Sequence, residues 1–263
     1  MPAPPAADLL AFVHRLADAA GEVVRRHYRA PVVVEHKADD SPVTVADREA
    51  EATLRALIRA EYPEHGIEGE ELGVERADAE FVWCLDPIDG TKSFITGRPL
   101  FGTLICLAHA GRPILGLIDQ CVLHERWLGI DGQPSTWNGR PISVRPCARL
   151  DQAVLYVTSP RMFAAPADRA AFARIEQEVR LPMYGGDCYA YGLLALGFAD
   201  LIVEAELDPY DFMALVPVIE GAGGVITDWQ GAGLSTASDG RVVAAGDRRV
   251  HAQALALLAA AGH

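Results

Sequence analysis

A chain of 263 residues, half of them apolar and 22% charged, is long enough to bury a full core as one large domain or two smaller ones. Its formal net charge of −13 excludes a surface that holds nucleic acid or an anionic membrane without intervening cations. A phosphate-handling site in so acidic a chain calls for a bound divalent cation.

The first 30 residues place Leu9, Leu10, Val13, Leu16, Ala17, Ala20 and Val24 at helical spacing, which predicts a helix over residues 7–27. The N-terminus MPAPPAADLL has no basic start and no long apolar run, so no signal peptide is expected, and the placement expected is cytoplasmic. Val32, Val33 and Val34 read as a short strand, and KADDSP (37–42) as a polar, turn-rich segment. Residues 44–59 return to helical spacing through Val45, Ala52, Leu54, Leu57 and Ile58. Asp47 falls in the first turn of that helix, where a carboxylate is ordinary compensation for the helix dipole. GIEGEELG (66–73) sets Glu70 and Glu71 between glycines, too tightly for a helix face, and reads as a solvated loop.

The next stretch is WCLDPIDGTKSF (83–94). An apolar strand over 81–85 ends in two carboxylates three apart, Asp86 and Asp89, and Pro87 keeps the chain between them out of helix geometry. Gly90 lets the backbone approach a ligand closely, and Thr91 offers a hydroxyl and an N–H where a short helix can start. Carboxylates for a hard cation and N–H groups for a phosphate thus share six residues. Taken alone, the stretch reads equally well as an acidic strand-to-helix turn. Strands follow at 101–108, 113–118 and 122–130, with turns between, which predicts an antiparallel sheet for this half.

Past about Val144 strands alternate with helices. Strands are expected at 153–157, 199–204, 225–227 and 242–245, and helices at 168–179, 187–196, 211–220 (tolerating Pro217) and 251–260. That alternation favours a parallel or mixed α/β layer, so the chain divides into halves at 1–145 and 146–263 with a broad shared interface. The five cysteines form no CxxC pair and read as buried structural thiols of a reducing compartment. No apolar run reaches membrane-spanning length.

Glu70, Glu71, Asp86, Asp89 and Asp211 are the acidic residues that can converge, and phosphate-ester hydrolysis with metals needs carboxylates able to bridge two cations. The eight histidines show no zinc spacing, and no Walker A, Rossmann or G-x-S-x-G pattern occurs. GEE, then WCLDPIDGTKSF, then DPYDFMALVPVIEGAGG, in that order, resemble the inositol monophosphatase-like superfamily of metal-dependent, lithium-sensitive phosphatases over nearly the whole chain. The resemblance implies an α/β (α+β) fold, a layered αβαβα sandwich of the inositol monophosphatase and sugar phosphatase type. It implies two or three Mg²⁺ per active site, held by Glu70, Asp86, the Ile88 carbonyl, Asp89 and Asp211. Asp47 and Thr91 match the catalytic pair that orients and deprotonates water, and Gly90 and Thr91 match donors to the phosphate. Glu71 would support the metal shell, Lys37 would sit on a mobile loop, and the protein would be a homodimer acting on a small-molecule phosphate ester.

Within the superfamily, the run 184–212 and DGTKSFITGRPLFGTLI (89–105) resemble the histidinol-phosphatase branch. Tyr210-Asp211 stands where inositol enzymes usually have Trp-Asp, and Lys92 replaces a second Thr, a Lys that nucleotide phosphatases share. Asp187 and Glu204 match positions that contact the leaving group, where carboxylates suit an ammonium and an imidazole better than a neutral polyol; the alternative is that Asp187 caps its helix and Glu204 ends a strand. Hydrolysis of L-histidinol phosphate in histidine synthesis is the expectation. Inositol or nucleotide monophosphatase activity is the alternative, and a catalytically silent binding scaffold the remote one.

Overall fold

Four-residue spacing of apolar side chains sets the first element, and the rest of the chain wraps it into layers. The computed structural model describes residues 6–30, 34–36 and 42–260. Val32, Val33 and Lys37 lie outside them. Helix α1 (Ala6–His27) buries Phe12, Val13, Leu16, Ala17, Ala20 and Val24 along one stripe. Strands β1 (Val34–His36) and β2 (Pro42–Thr44) pair as a two-stranded ribbon that leads into α2 (Val45–Glu61). Strands β3 (Gly66–Gly69), β4 (Gly73–Glu75) and β5 (Phe81–Asp89) precede a short helix, α3 (Thr91–Ile95). Then come β6 (Gly102–His109), β7 (Arg112–Gln120), β8 (Glu125–Ile130), β9 (Thr136–Trp137) and β10 (Arg140–Pro141).

Strands β3 to β10 form one sheet in the order β10-β9-β8-β7-β6-β5-β3-β4, antiparallel except where β3 runs parallel to β5. The second half supplies β11 (Val154–Val157), α4 (Pro166–Glu178), β12 (Leu181–Tyr184), α5 (Asp187–Ala195), β13 (Leu201–Glu204), α6 (Pro209–Phe212), α7 (Leu215–Gly221), β14 (Val225–Thr227), β15 (Val242–Ala245) and α8 (Arg248–Ala259). Its sheet is mixed, in the order β12-β11-β13-β15-β14.

Period-two alternation along the strands separates three apolar layers. Trp83 and Leu85 of β5 join Phe12, Leu16, Leu54 and Ile58 under α1 and α2. Cys84, between them, faces the other way and joins Cys106, Trp127, Tyr191, Leu194, Leu215 and Ile219 in a layer centred on α5 and α7. Ile202 of β13 closes that layer, whereas Leu201 and Val203 point outward to Phe172, Ile175 and Leu258 of α4 and α8. The result is helix, sheet, helix, sheet, helix, the five-layer sandwich expected. All five cysteines are buried free thiols.

Several elements depart from the expected ones. Residues 211–220 do not form one helix. Pro217 has no N–H, so the chain breaks at Met213 and Ala214 and restarts with Pro217 in the first turn of α7, where that N–H would be spare. The strand expected from Val122 begins only at Glu125, because residues 121–124 turn through His124 at a φ of 57°. Strands β2, β3, β4, β9, β10 and β12 lie outside the expected ones, β3 and β4 falling in and beside the stretch 66–73 that reads as a loop. The Glu70-Glu71 pair does occupy a turn, but one between two paired strands.

The eight-stranded sheet meets the start of α7 at backbone distance. A Cβ on Gly116 would lie 1.9 Å from the Ala214 carbonyl oxygen, and one on Gly129 would lie 2.2 Å from the Pro217 carbonyl. Gly129→Ala should therefore destabilise the fold by about 3 kcal/mol, the upper range of overpacking costs. A urea unfolding curve with an unshifted midpoint would refute that close approach.

Candidate active site

Asp86 and Asp89 are three residues apart, so on a regular strand they would face opposite sides of the sheet. They converge because the register slips. Asp86 pairs with Leu104 and Asp89 with Gly102, three steps on β5 against two on β6. The extra residue is a bulge at Pro87 and Ile88, which re-aims the strand end. Ile88 N–H closes it on Asp86 Oδ1 at 2.9 Å, and Thr103 Oγ1 donates to the Pro87 carbonyl at 2.8 Å.

Asp211 comes from the other half, in α6. It does not open that helix, as its motif suggested. Asp208 is the N-cap, and Asp211 Oδ2 accepts the Asp208 N–H at 2.8 Å in a capping box. Asp86, Asp89 and Asp211 each offer one oxygen, and the three lie within 4.8 Å of one another. Glu70 joins from the β3–β4 turn. Its N–H donates to the Leu85 carbonyl at 3.2 Å, and its side chain hydrogen-bonds Asp86.

Burial, followed by the charges of neighbouring carboxylates, holds the Asp86 and Asp89 carboxyls well above the ordinary range. For Asp211 burial is again the main cause, opposed by the Asp208 N–H and reinforced by Glu70. Three acidic side chains crowded out of water in this way, with Glu70 beside them, are an unfavourable arrangement as anions alone. They suit a hard divalent cation, which oxygen ligands of this kind bind.

Around this cluster stand the other candidates. Gly90 caps α3 at a φ of 91°, and a Cβ there would lie 3.0 Å from Asp187 Oδ2. Thr91 is the first residue of α3, and its hydroxyl donates to the Ile88 carbonyl at 3.2 Å. Asp47 is in a capping box: Oδ2 accepts the Thr44 N–H at 2.8 Å and the Thr44 hydroxyl at 2.6 Å. Its Oδ1 is buried without a hydrogen-bond partner among the described residues. Burial pushes the Asp47 carboxyl up to about 6, against the Thr44 hydrogen bonds and with the charge of Glu70. The dipole reading of Asp47 thus accounts for one oxygen and leaves the other unexplained.

Asp187 opens α5 at a φ of 46°, just after Gly185 and Gly186. It accepts from Ser93 Oγ at 3.3 Å, and burial together with the nearby Glu204 charge pushes it up to about 6. The next amide, Cys188 N–H, donates to Asp89 Oδ2 and so ties α5 to the acidic cluster. Glu204 is 3% exposed at the end of β13, with Oε1 on the Thr158 N–H and Oε2 on the Tyr191 hydroxyl, both at 2.8 Å. Glu71 N–H donates to Glu51 Oε2 at 2.7 Å. Glu51 and Cys188 escaped the sequence reading. The signal for Glu51 was present: it lies on the buried stripe of α2 with Ala46, Ala50, Leu54 and Ile58.

The family model described as the inositol monophosphatase family matches residues 6–263. The chain is 53% identical over 249 residues to the bifunctional phosphatase IMPL2, chloroplastic, of Arabidopsis thaliana, covering 91% of this chain and 72% of that protein. It is 35% identical to a histidinol-phosphatase of Chlorobaculum parvum, covering 82% of this chain and 84% of the relative. Among solved structures, an inositol monophosphatase from Zymomonas mobilis superposes with a TM-score of 0.89 at 48% identity, covering 97% of this chain and 100% of that one. With the buried carboxylate cluster at the junction of its two sheets, the chain belongs to the inositol monophosphatase family of metal-dependent phosphomonoesterases.

Proposed function

We infer that the chain hydrolyses L-histidinol phosphate to L-histidinol and phosphate with Mg²⁺. The observation that carries this reading is the pair Asp187, half-buried, and Glu204, buried, with Asp187 close enough to Asp89 to raise its carboxyl and Glu204 close enough to Asp187 to do the same there. They form an acidic wall beside the site. A neutral polyol gains little there, whereas an ammonium and an imidazole gain charge-assisted hydrogen bonds. The relatives named as histidinol-phosphatases support the same substrate.

In this reading Glu70, Asp86, the Ile88 carbonyl, Asp89 and Asp211 hold the cations, from both of the halves that we place at 1–145 and 146–263. Bound Mg²⁺ supplies charge neutralisation to the phosphate and makes water more acidic. Asp47 is committed to Thr44 through Oδ2, so Oδ1 is the oxygen left to take the proton of an attacking water. The Thr91 hydroxyl, held by the Ile88 carbonyl, aims that water. The Gly90 and Thr91 amides donate to the phosphate oxygens. Glu204 keeps its place through Thr158 and Tyr191 and acts as a fixed negative charge toward the leaving group. Glu71 acts through its backbone. A homodimer is expected by resemblance, and no described helix is long and apolar enough to cross a membrane.

Inositol 1-phosphate is the second reading, favoured by the 48% identity to the Zymomonas mobilis inositol monophosphatase. Phosphate release from L-histidinol phosphate, inositol 1-phosphate and adenosine 3′,5′-bisphosphate, each with Mg²⁺ and with EDTA, separates the two. Histidinol phosphate should turn over fastest, and EDTA should abolish all release. Faster release from either other ester would overturn the substrate while keeping the chemistry.

A further inference from the structure

One fully buried ion pair lies outside the roles assigned so far. Glu51 and Arg55 stand one turn apart on α2, 0% and 1% exposed, with Arg55 Nε donating to Glu51 Oε1 at 2.7 Å. Such a pair persists in a core only when its remaining oxygens and N–H groups also find partners. Here the partners all come from the β3–β4 connection that carries Glu70 and from β4 itself. Glu51 Oε2 accepts the Glu71 N–H at 2.7 Å, and Oε1 also accepts the Leu72 N–H at 3.1 Å. Arg55 Nη2 donates to the Gly73 carbonyl, and Nη1 donates to Glu75 Oε1 at 2.9 Å.

Apolar packing contributes little at this hairpin tip, and Arg59 adds a second hold on Glu75. Leu72 and Val74 are 47% and 56% exposed, and β4 is a three-residue edge strand. An ionic clamp rather than apolar packing therefore sets where the tip lies. Gly69 supplies the room: a Cβ there would fall 2.1 Å from Glu51 Oε1 and 2.8 Å from Arg55 Nη2. The glycine of the GEE motif is explained by the clamp behind it. On the opposite side the Glu70 N–H is tied to Leu85, next to Asp86. Asp47 lies one turn before Glu51 on the same helix.

We propose that Glu51 and Arg55 are positioning residues of the metal centre: they fasten the Glu70 turn to α2, so that Glu70 and Asp47 keep one spacing. This rests on the reading of Glu70 as a metal ligand. Calorimetric titration of Mg²⁺ into the wild type and Glu51→Gln tests it. The glutamine keeps the size but presents an amide NH₂ where only acceptors serve, so the turn loosens. The Mg²⁺ dissociation constant should rise by about tenfold or more, the scale of lost outer-sphere support. KM for the ester at saturating Mg²⁺ should stay unchanged, and kcat should recover as Mg²⁺ is raised.

A folded Glu51→Gln variant with wild-type Mg²⁺ affinity would overturn the proposal, even with a lower melting temperature. If Glu51→Gln does not fold, Glu75→Gln serves instead. Glu75 is 32% exposed, and weakening its hold on Arg55 should raise the Mg²⁺ dissociation constant ~3-fold, as for a partly exposed ion pair. Unchanged affinity in that variant overturns the proposal equally. A wild-type protein that takes up no Mg²⁺ would instead overturn the underlying reading of Glu70 and its neighbours.

Discussion

Replacing Asp211 with asparagine should lower phosphate release by about 10³-fold, the loss of several kcal/mol of charge stabilisation in the transition state. The fold should survive. Asparagine keeps an oxygen for the Asp208 N–H, so the capping box that starts α6 can still form. The substitution also removes one of three crowded carboxyl groups whose ionisation burial opposes. In EDTA the melting temperature of the variant should consequently equal or exceed that of the wild type, while added Mg²⁺ should raise it less. Retention of more than about a tenth of the activity, less than 1.4 kcal/mol, would remove Asp211 from the site.

Asp47→Asn should cost about 10²- to 10⁴-fold in kcat, the usual contribution of a positioned general base. The asparagine oxygen can replace Oδ2 as the acceptor for Thr44, so the start of α2 is preserved. The NH₂ then takes the place of Oδ1, and it cannot accept a proton. Because Asp47 is assigned no metal, its loss should leave Mg²⁺ affinity and KM near their wild-type values. This separates it from Asp211, whose loss should weaken Mg²⁺ binding. A fall in Mg²⁺ affinity as large as that of Asp211→Asn would place Asp47 among the ligands instead.

The elements read most easily from the sequence are those whose pattern is local. The stripe of α1, the apolar run of β5 and the strand-turn-strand succession β6–β7 each follow from their own residues. The carboxylates at the end of β5 were legible as residues, but their convergence was not. A bulge is a mismatch between two strands, and β5 alone does not reveal how many residues of β6 lie opposite it. Strand β12, LPMY, carries a proline and no β-branched residue, and it is extended because β11 offers a parallel partner. The break between α6 and α7 is hidden because the apolar spacing of 211–220 runs on through Pro217, which a helix tolerates only in its first turn. Glu51 and Arg55 fall on the apolar stripe of α2, but that position alone does not show that the pair is buried. A Glu–Arg pair at this spacing usually decorates a wet helix face, and only the hairpin tip, folded over it, buries the pair.

The contacts of Gly116 and Gly129 with α7 bear on how the protein moves. Shear between packed layers needs side chains that can slide over one another, and here main chain meets main chain with no such cushion. The eight-stranded sheet and α7 are thus joined like the halves of a casting, not the jaws of a clamp. On the proposed reading, Asp211, in α6 just before that seam, and Asp86 and Asp89, on the sheet itself, keep fixed separations throughout turnover, and admission of substrate falls to surface segments that cost little to displace.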